Sequence, residues 1–338
     1  MIEKIAKKIE KHGDIFLTID EKERFYLTKF PSSFGVVVIT SDSDGFLFTD
    51  KRYLEAAQKK IKKFTVLEWK SFEHLKEIFG NKKVIVDGER VTLKQFSEIE
   101  KHFETTTVNG FLKEFRVVKT EEEIYAITRA VAIAEQSLKD VLHLLKPGIT
   151  EYQFRKELVN RMFYYGSEES FETIVASGKG SSIPHWKTSQ KEIKDGDVVI
   201  VDFGSIFGGY LSDITRTFLI GNVSYELKKI YDTVLEAQLK GMEAAKSGMP
   251  CREVDKIVRN FISKKGYGDH FIHGTGHGIG VEIHEAPTLS LRSNEILKKN
   301  CVVTVEPGIY IPELGGVRIE DDVLVGEDGG YSLVTLQK

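Results

Sequence analysis

Two stretches one hundred positions apart constrain this chain more than any other feature. KPGITEYQFRKELVNRMFYYG begins at Lys146 and KSGMPCREVDKIVRNFISKKG at Lys246. Lys146/Lys246, Gly148/Gly248, Lys156/Lys256 and Gly166/Gly266 align without a gap, with apolar positions matched between them. The register continues through Phe171/Phe271, Gly178/Gly278, Gly180/Gly280 and Ile183/Ile283, and His185 falls one place from the partner of His284. Further on, VVIVDFG pairs with VVTVEPG, setting Asp202 against Glu306, and LSD pairs with RIE, setting Asp213 against Glu320. This period is well outside that of solenoid repeats. It describes two helix-helix-strand-strand halves.

The duplication bears on chemistry because the paired residues are acids. Val198 to Val201 read as a buried strand, and that strand ends on Asp202 with no polar lead-in. A buried, unpaired carboxylate is costly. If the halves pack about a pseudo-twofold axis, Asp202, Asp213, Glu306 and Glu320 converge from both sides. Four carboxylates in one pocket repel by several kcal/mol and are tolerated together only around cations. The alternative is that they cap strand ends and face water, as most acids do. Four acids at repeat-equivalent places make that the weaker reading.

FIHGTGHGIGVEIHEAP, residues 271–287, supplies imidazoles in a Gly-rich setting: His273, His277 and His284. The glycines leave room beside His277, the best metal candidate, and let the backbone adopt φ > 0. His284 reaches the same pocket without sharing the same ion. Other chemistries fail on detail. There is no H-E-x-x-H, no P-loop in SGKGSS, no G-x-S-x-G elbow and no cysteine in an activating setting. Asp202, Asp213, His277, Glu306 and Glu320 remain, a mostly oxygen set with one imidazole. Such a set suits Mn²⁺, Zn²⁺, Co²⁺ or Fe²⁺ and argues against a thiolate zinc site. Two ions about 3.5–4 Å apart use four carboxylates more economically than one.

The first third reads differently. The N-terminal segment places Ile2, Ile5 and Ile9 at helical spacing, a surface amphipathic helix. IFLTI, FYLTKF, FGVVVIT and GFLFTD read as strands, with the turn Ser-Asp-Ser-Asp-Gly at 41–45. KRYLEAAQKKIKKF and TLKQFSEIEKHF read as helices and KKVIVDG as a further strand. This mixed α/β part holds few catalytic groups and reads as a recognition or assembly domain. At Thr120 and Glu123 a capping box opens a helical run that Gly148 is expected to end. The expected division is 1–118 and 119–338. A net charge of −3 implies no polyanion, so nucleic acid is not an expected partner. No stretch approaches the ~18 apolar residues of a membrane span, and no membrane association is expected. Two cysteines, Cys251 and Cys301, exclude a disulfide framework and fit a reduced, cytoplasmic setting.

VDFG…SDITRT, HGTGHGIGVEIHEAP, VEPGIYIP and GVRIED together resemble the pita-bread metallopeptidases, which include methionine aminopeptidase, aminopeptidase P and prolidase. The resemblance spans essentially all of 119–338. FYLTKF and FTDKRYLEAA resemble the N-terminal domain of the proline-specific branch, which methionine aminopeptidases usually lack. The resemblance implies an α/β (α+β) chain, a mixed N-terminal domain followed by a pseudo-twofold duplicated pita-bread domain. It implies an Xaa-Pro aminopeptidase or Xaa-Pro dipeptidase (prolidase) with two divalent ions, Mn²⁺ foremost and Co²⁺ or Zn²⁺ as alternatives. Asp202 would hold one metal, Asp213 and Glu320 would bridge both, and His277 and Glu306 would complete the second. Glu306 would be general base and His284 the donor to the scissile carbonyl. His185 and His273 would line the substrate pocket. Arg318 would orient substrate or carboxylates, or form a buried salt bridge. A proline-containing peptide is the implied substrate and a homodimer the implied assembly. The other readings are a methionine-type metallo-aminopeptidase and a non-catalytic peptide-binding protein on the same fold. Two departures from the proline-specific pattern concern substrate fit: Lys29 stands where glycine is common, and WKTS follows His185.

Overall fold

The computed structural model describes residues 1–338. The chain forms two compact units, Met1–Phe115 and Arg116–Lys338.

In the first unit, α1 (Ile2–Ile9) buries Ile5 and Ile9. There follow β1 (Ile15–Thr18), α2 (Glu21–Thr28), β2 (Val36–Thr40), β3 (Gly45–Thr49), α3 (Lys51–Lys60), β4 (Thr65–Glu68), α4 (Phe72–Phe79), β5 (Val84–Val86), α5 (Leu93–Glu100) and β6 (Thr105–Thr107). The six strands form one sheet in the order β4-β3-β2-β1-β5-β6. The β2–β3 pair is the antiparallel hairpin expected around residues 41–45. FYLTKF is not a strand: Phe25, Tyr26 and Leu27 lie in α2, and Phe30 follows its C-cap. The Asp20 side chain caps this helix on the Glu23 N–H, and Glu21 and Glu23 occupy its first turn, where acids complement the helix dipole. Lys29 ends α2 in the left-handed region at φ 54°, a conformation glycine adopts at less cost.

In the chain, α6 (Lys113–Val117) precedes α7 (Glu121–Val141), α8 (Glu151–Tyr164), β7 (Ile174–Ser177), β8 (Val198–Phe203), β9 (Ile206–Phe207), β10 (Tyr210–Leu211) and β11 (Ile214–Leu219). The second half repeats this as α9 (Tyr225–Ala244), α10 (Cys251–Lys264), β12 (Gly276–Gly278), β13 (Glu285–Leu289), β14 (Val302–Val305), β15 (Gly308–Ile311), β16 (Gly315–Arg318), β17 (Asp321–Val325) and β18 (Gly330–Ser332). Thr120 and Glu123 form the expected capping box of α7. The helix stops at Val141 and a 3-10 turn follows at Leu142–Leu144, so Gly148 lies in the loop beyond rather than at the cap.

The duplication is visible in the sheets. The first half pairs β11-β8-β7 and the second contains β17-β14-β12, the same elements in the same order, with β13 and β18 added at its edges. Each half also carries a hairpin between its last two long strands, β9–β10 and β15–β16. Strand parity then aims the acids. Val199, Val201 and Phe203 pack with Leu138, Phe154 and Leu158 of α7 and α8, so Ile200 and Asp202 point to the opposite face. Val303 and Val305 pack with Ala244, Cys251 and Val254 of α9 and α10, so Thr304 points away from those helices.

Candidate metal centre

The ends of these strands bring the acids together. Donor atoms of Asp213, His277 and Glu320 all lie within 4.8 Å of one another. His277 Nε2 is 3.7 Å from Asp213 Oδ2 and 3.5 Å from Glu306 Oε1. Asp202 enters through Arg318, whose Nη2 donates to its Oδ2 at 2.6 Å. Thr215 and Glu320 form a bridge between the two halves, with the Glu320 N–H donating to the Thr215 carbonyl at 3.1 Å. Asp213 and Glu320 are buried, and Asp202 and Glu306 are nearly so; these acids do not face water.

Local bonding orients each group. The His277 N–H donates to Thr304 Oγ1 at 3.0 Å. The His277 ring places Nδ1 against the Gly278 carbonyl at 3.1 Å, so Nδ1 carries the proton and Nε2 presents its lone pair to the carboxylates. An outer hydrogen bond of this kind fixes a ligating histidine. Gly276 lets β12 lie against β14, since a Cβ there would sit 1.9 Å from the Thr304 carbonyl oxygen. The Glu306 N–H donates to the Thr275 carbonyl at 2.8 Å. Arg318 also donates to Thr215 Oγ1 at 3.1 Å and Tyr310 hydroxyl at 3.0 Å; its contacts are those of a buried ion pair with Asp202. His273 places Nδ1 against the Gly274 carbonyl and Nε2 against the Tyr310 hydroxyl.

The electrostatics are those of an anionic cluster short of positive charge. Burial, and then Glu320 and Asp202, hold the Asp213 carboxyl well above its ordinary range. Burial, and then Glu306 and Asp202, do the same to Glu320. Burial also pushes Glu306 up to about 8. His277 is lowered to about 4, by burial first and the neighbouring His284 second, which keeps it a neutral donor of electrons. Arg318 is held above its usual value; burial opposes this, but Tyr310 and the acids Asp202, Glu320 and Glu306 outweigh it. Arg318 is the one permanently charged base paired with any of the four acids. Asp202 Oδ1 and Glu320 Oε1 are buried with no hydrogen-bond partner. Orphaned oxygens beside a neutral imidazole in an oxygen-rich set are what divalent cations satisfy. The residues present fit such a group.

Histidines stand at the edge of this buried set. The His284 ring lies 4.3 Å from that of His277, centroid to centroid, and is exposed, as is His185. His284 is lowered by partial desolvation of its ring and then by His185, and His185 also depresses His273, after burial.

Several contributors escaped sequence reasoning: Thr215, Asp322, Thr304 and Tyr310. Thr215 Oγ1 donates to Glu320 Oε2 at 2.6 Å, and Asp322 Oδ2 accepts from the Asp213 N–H at 3.0 Å. These are reciprocal contacts across the duplication, because the same offset separates Asp213 from Glu320 and Thr215 from Asp322 (320 − 213 and 322 − 215). Carrying the repeat alignment two residues further would have found both.

Residues 125–327 match metallopeptidase family M24. The chain belongs to metallopeptidase family M24. Residues 1–118 match the creatinase/prolidase N-terminal domain. Among curated members, the Xaa-Pro dipeptidase of Pyrococcus furiosus is 36% identical over 346 residues, covering 100% of this chain and 98% of that protein. Among solved members, an Xaa-Pro dipeptidase from Bacillus anthracis superposes with a TM-score of 0.96 at 37% identity, covering 100% of this chain and 97% of that one. An X-Pro aminopeptidase from Thermotoga maritima gives a TM-score of 0.92 at 35% identity, covering 99% and 98%. The mixed α/β fold, with its N-terminal domain and pita-bread catalytic domain, is that of the family. This M24 member is a metallopeptidase, and divalent metal ions go with the family.

Proposed function

We propose that this M24 member hydrolyses the Xaa-Pro bond at the N-terminus of proline-containing peptides, as an Xaa-Pro aminopeptidase or Xaa-Pro dipeptidase. The observation that carries the reading is the convergence of Asp213, His277 and Glu320, with Asp202 and Glu306 beside them, at one buried point. The proline-specific choice is supported by the match of residues 1–118 to the creatinase/prolidase N-terminal domain and by the printed activities of its relatives. This weighs against a methionine-type aminopeptidase, and the filled ligand set weighs against a peptide-binding protein.

Asp202, Asp213, His277, Glu306 and Glu320 hold two divalent ions in this reading, manganese foremost. Bound divalent ions supply Lewis-acid charge to a scissile carbonyl and acidity to a water. The chain supplies the rest. Glu306 takes a proton from the attacking water as general base. His284 is neutral and exposed, so its ring N–H can donate to the oxyanion that develops at the carbonyl. His185 and His273 contact the substrate at the pocket edge. Arg318 fixes Asp202 and, through Tyr310, the ring of His273. The family resemblance further supports a homodimer. Two buried free cysteines support a reduced, cytoplasmic setting, and no helix is long and apolar enough to cross a membrane.

Hydrolysis of Ala-Pro, Ala-Pro-Ala and Met-Ala-Ser by Mn²⁺-loaded enzyme, each with a chelator control, tests the reading. Cleavage of Ala-Pro alone defines a dipeptidase and cleavage of Ala-Pro-Ala an aminopeptidase. Cleavage of Met-Ala-Ser only moves the assignment to the methionine type. No chelator-sensitive cleavage of any peptide refutes the Xaa-Pro reading and favours the peptide-binding alternative on the same fold.

A further inference from the structure

A second buried acid ties the end of β7 to the segment that follows His185. Glu151 is the first residue of α8 and wholly buried. Its Oε1 accepts from the Ser177 N–H at 2.8 Å and Ser177 Oγ at 2.6 Å. Its Oε2 accepts from Trp186 Nε1 at 3.0 Å, the Ser189 N–H at 3.0 Å and Ser189 Oγ at 2.8 Å. A carboxylate at a helix N-terminus is favoured by the dipole, but five donors exceed what anchoring a helix start requires. All of them lie outside α8, and three come from the segment that follows His185.

That segment is seated from every side. The Trp186 indole packs against Ala176, Ile200 and Tyr310. Gly180 lies beneath it, where a Cβ would meet Trp186 Cε2 at 3.0 Å. The Trp186 N–H donates to the Ile183 carbonyl at 3.1 Å. On the other flank, Arg318 Nη1 reaches the Pro184 carbonyl at 3.4 Å. His185 is thus an exposed imidazole between two anchored neighbours. The indole packs on the cluster that contains Tyr310, whose hydroxyl is bonded to His273, so the Glu151 anchor and the pocket wall share one packed cluster.

We infer that Glu151 is a positioning residue for substrate recognition: through Trp186 and Ser189 it sets the place of His185 beside the peptide's proline side. The inference rests on the Xaa-Pro reading of the site. It separates binding from chemistry, because Glu151 touches no metal-site acid and no proton-transfer group. Displacement of a substrate-positioning group is felt in ground-state and transition-state binding alike, and so in KM.

The test uses full-length Mn²⁺-loaded protein carrying Trp69→Phe, which leaves Trp186 as the remaining tryptophan of two. In Glu151→Gln the amide nitrogen meets N–H and O–H donors on one side. KM for the Xaa-Pro peptide that the parent cleaves is expected to rise about tenfold with kcat within about threefold. Bound metal should stay at the parent level, and Trp186 emission should shift as the charged partner of its indole N–H is lost. Trp186→Phe and Ser189→Ala remove single donors and should raise KM in the same direction by less; they carry the test if Glu151→Gln does not fold. Unchanged KM in the variants that fold overturns the inference and leaves the Xaa-Pro reading intact. A fall in kcat together with lost metal also overturns it, since Glu151 would then be structural. A parent enzyme with no chelator-sensitive Xaa-Pro cleavage sinks the functional reading and this inference with it.

Discussion

Arg216 offers the sharpest test of how the catalytic unit is held together. It is 1% exposed and donates to the Thr215 and Glu320 carbonyls at 2.9 and 2.7 Å, to Asp321 Oδ1 at 2.9 Å, and to the Gln337 and Leu336 carbonyls at 3.1 and 2.8 Å. In Arg216→Met these acceptors do not lose equally. The Thr215 carbonyl keeps the Glu320 N–H, and the carbonyls of 336 and 337 are only partly buried. The Glu320 carbonyl loses its charged donor and keeps only the Thr215 N–H across the bridge, and Asp321, fully buried, keeps only Lys338 and Ser332 on Oδ2. A carbonyl stripped of its charged donor and a half-orphaned carboxylate cost about 1–3 kcal/mol each. Breaking a buried ion pair by removing one partner costs about 3–5 kcal/mol in all. The expected outcome is a loss of that size in urea unfolding, or a fall in Tm of roughly 6–20 °C. Arg216→Lys keeps the charge beside Asp321 but not the fork, and should recover part of the loss. Unfolding of Arg216→Met within about 1 kcal/mol of the parent would refute the reasoning, because it would mean the orphaned groups find water.

Three further outcomes follow from the same geometry. His284→Ala should keep its metal and lose turnover, whereas Asp213→Ala should lose both, read by metal analysis of the purified protein beside peptide hydrolysis; full turnover in His284→Ala removes its donor role. Gly276→Ala forces a Cβ into the Thr304 carbonyl, so β12 must part from β14; it should cost about 1–3 kcal/mol and lower metal content, and a variant with parental metal content contradicts this. Burial raises Glu23 from 4.5 to about 8 in the folded protein, so between those values the folded state binds the extra proton. Stability from this group is full below about pH 4.5 and is lost as pH rises through about 8, by a few kcal/mol at most. Glu23→Gln should flatten that slope in unfolding measured at about pH 5 and about pH 9; equal slopes in both proteins would count against a protonated Glu23.

The duplicated halves, the strands that carry Asp202 and lead into Glu306, and the Gly-rich segment of His277 were all legible in the sequence. Each is written in simple terms: continuous apolar runs, matched glycines, acids at repeat-equivalent positions. FYLTKF was misread because apolar spacing in so short a segment fits strand or helix alike. The deciding signal was the Asp20 cap and the acids of the first turn. The end of α7 was missed because Gly148 is a strong breaker, while the actual stop at Val141 has no glycine or proline to mark it.

What the sequence by itself determined was the kind of atoms available and, through the repeat, which of them are equivalent. Only the tertiary structure decided how they are held. Thr215 meets Glu320 and Asp322 meets Asp213 because strands more than a hundred residues apart in the chain are brought side by side. Arg318 pairs with Asp202, and Glu151 grips the segment after His185, for the same reason. Period and propensity act over a few residues; the partner of a buried charge is chosen by packing across the whole unit, where an unpaired group is too costly to leave.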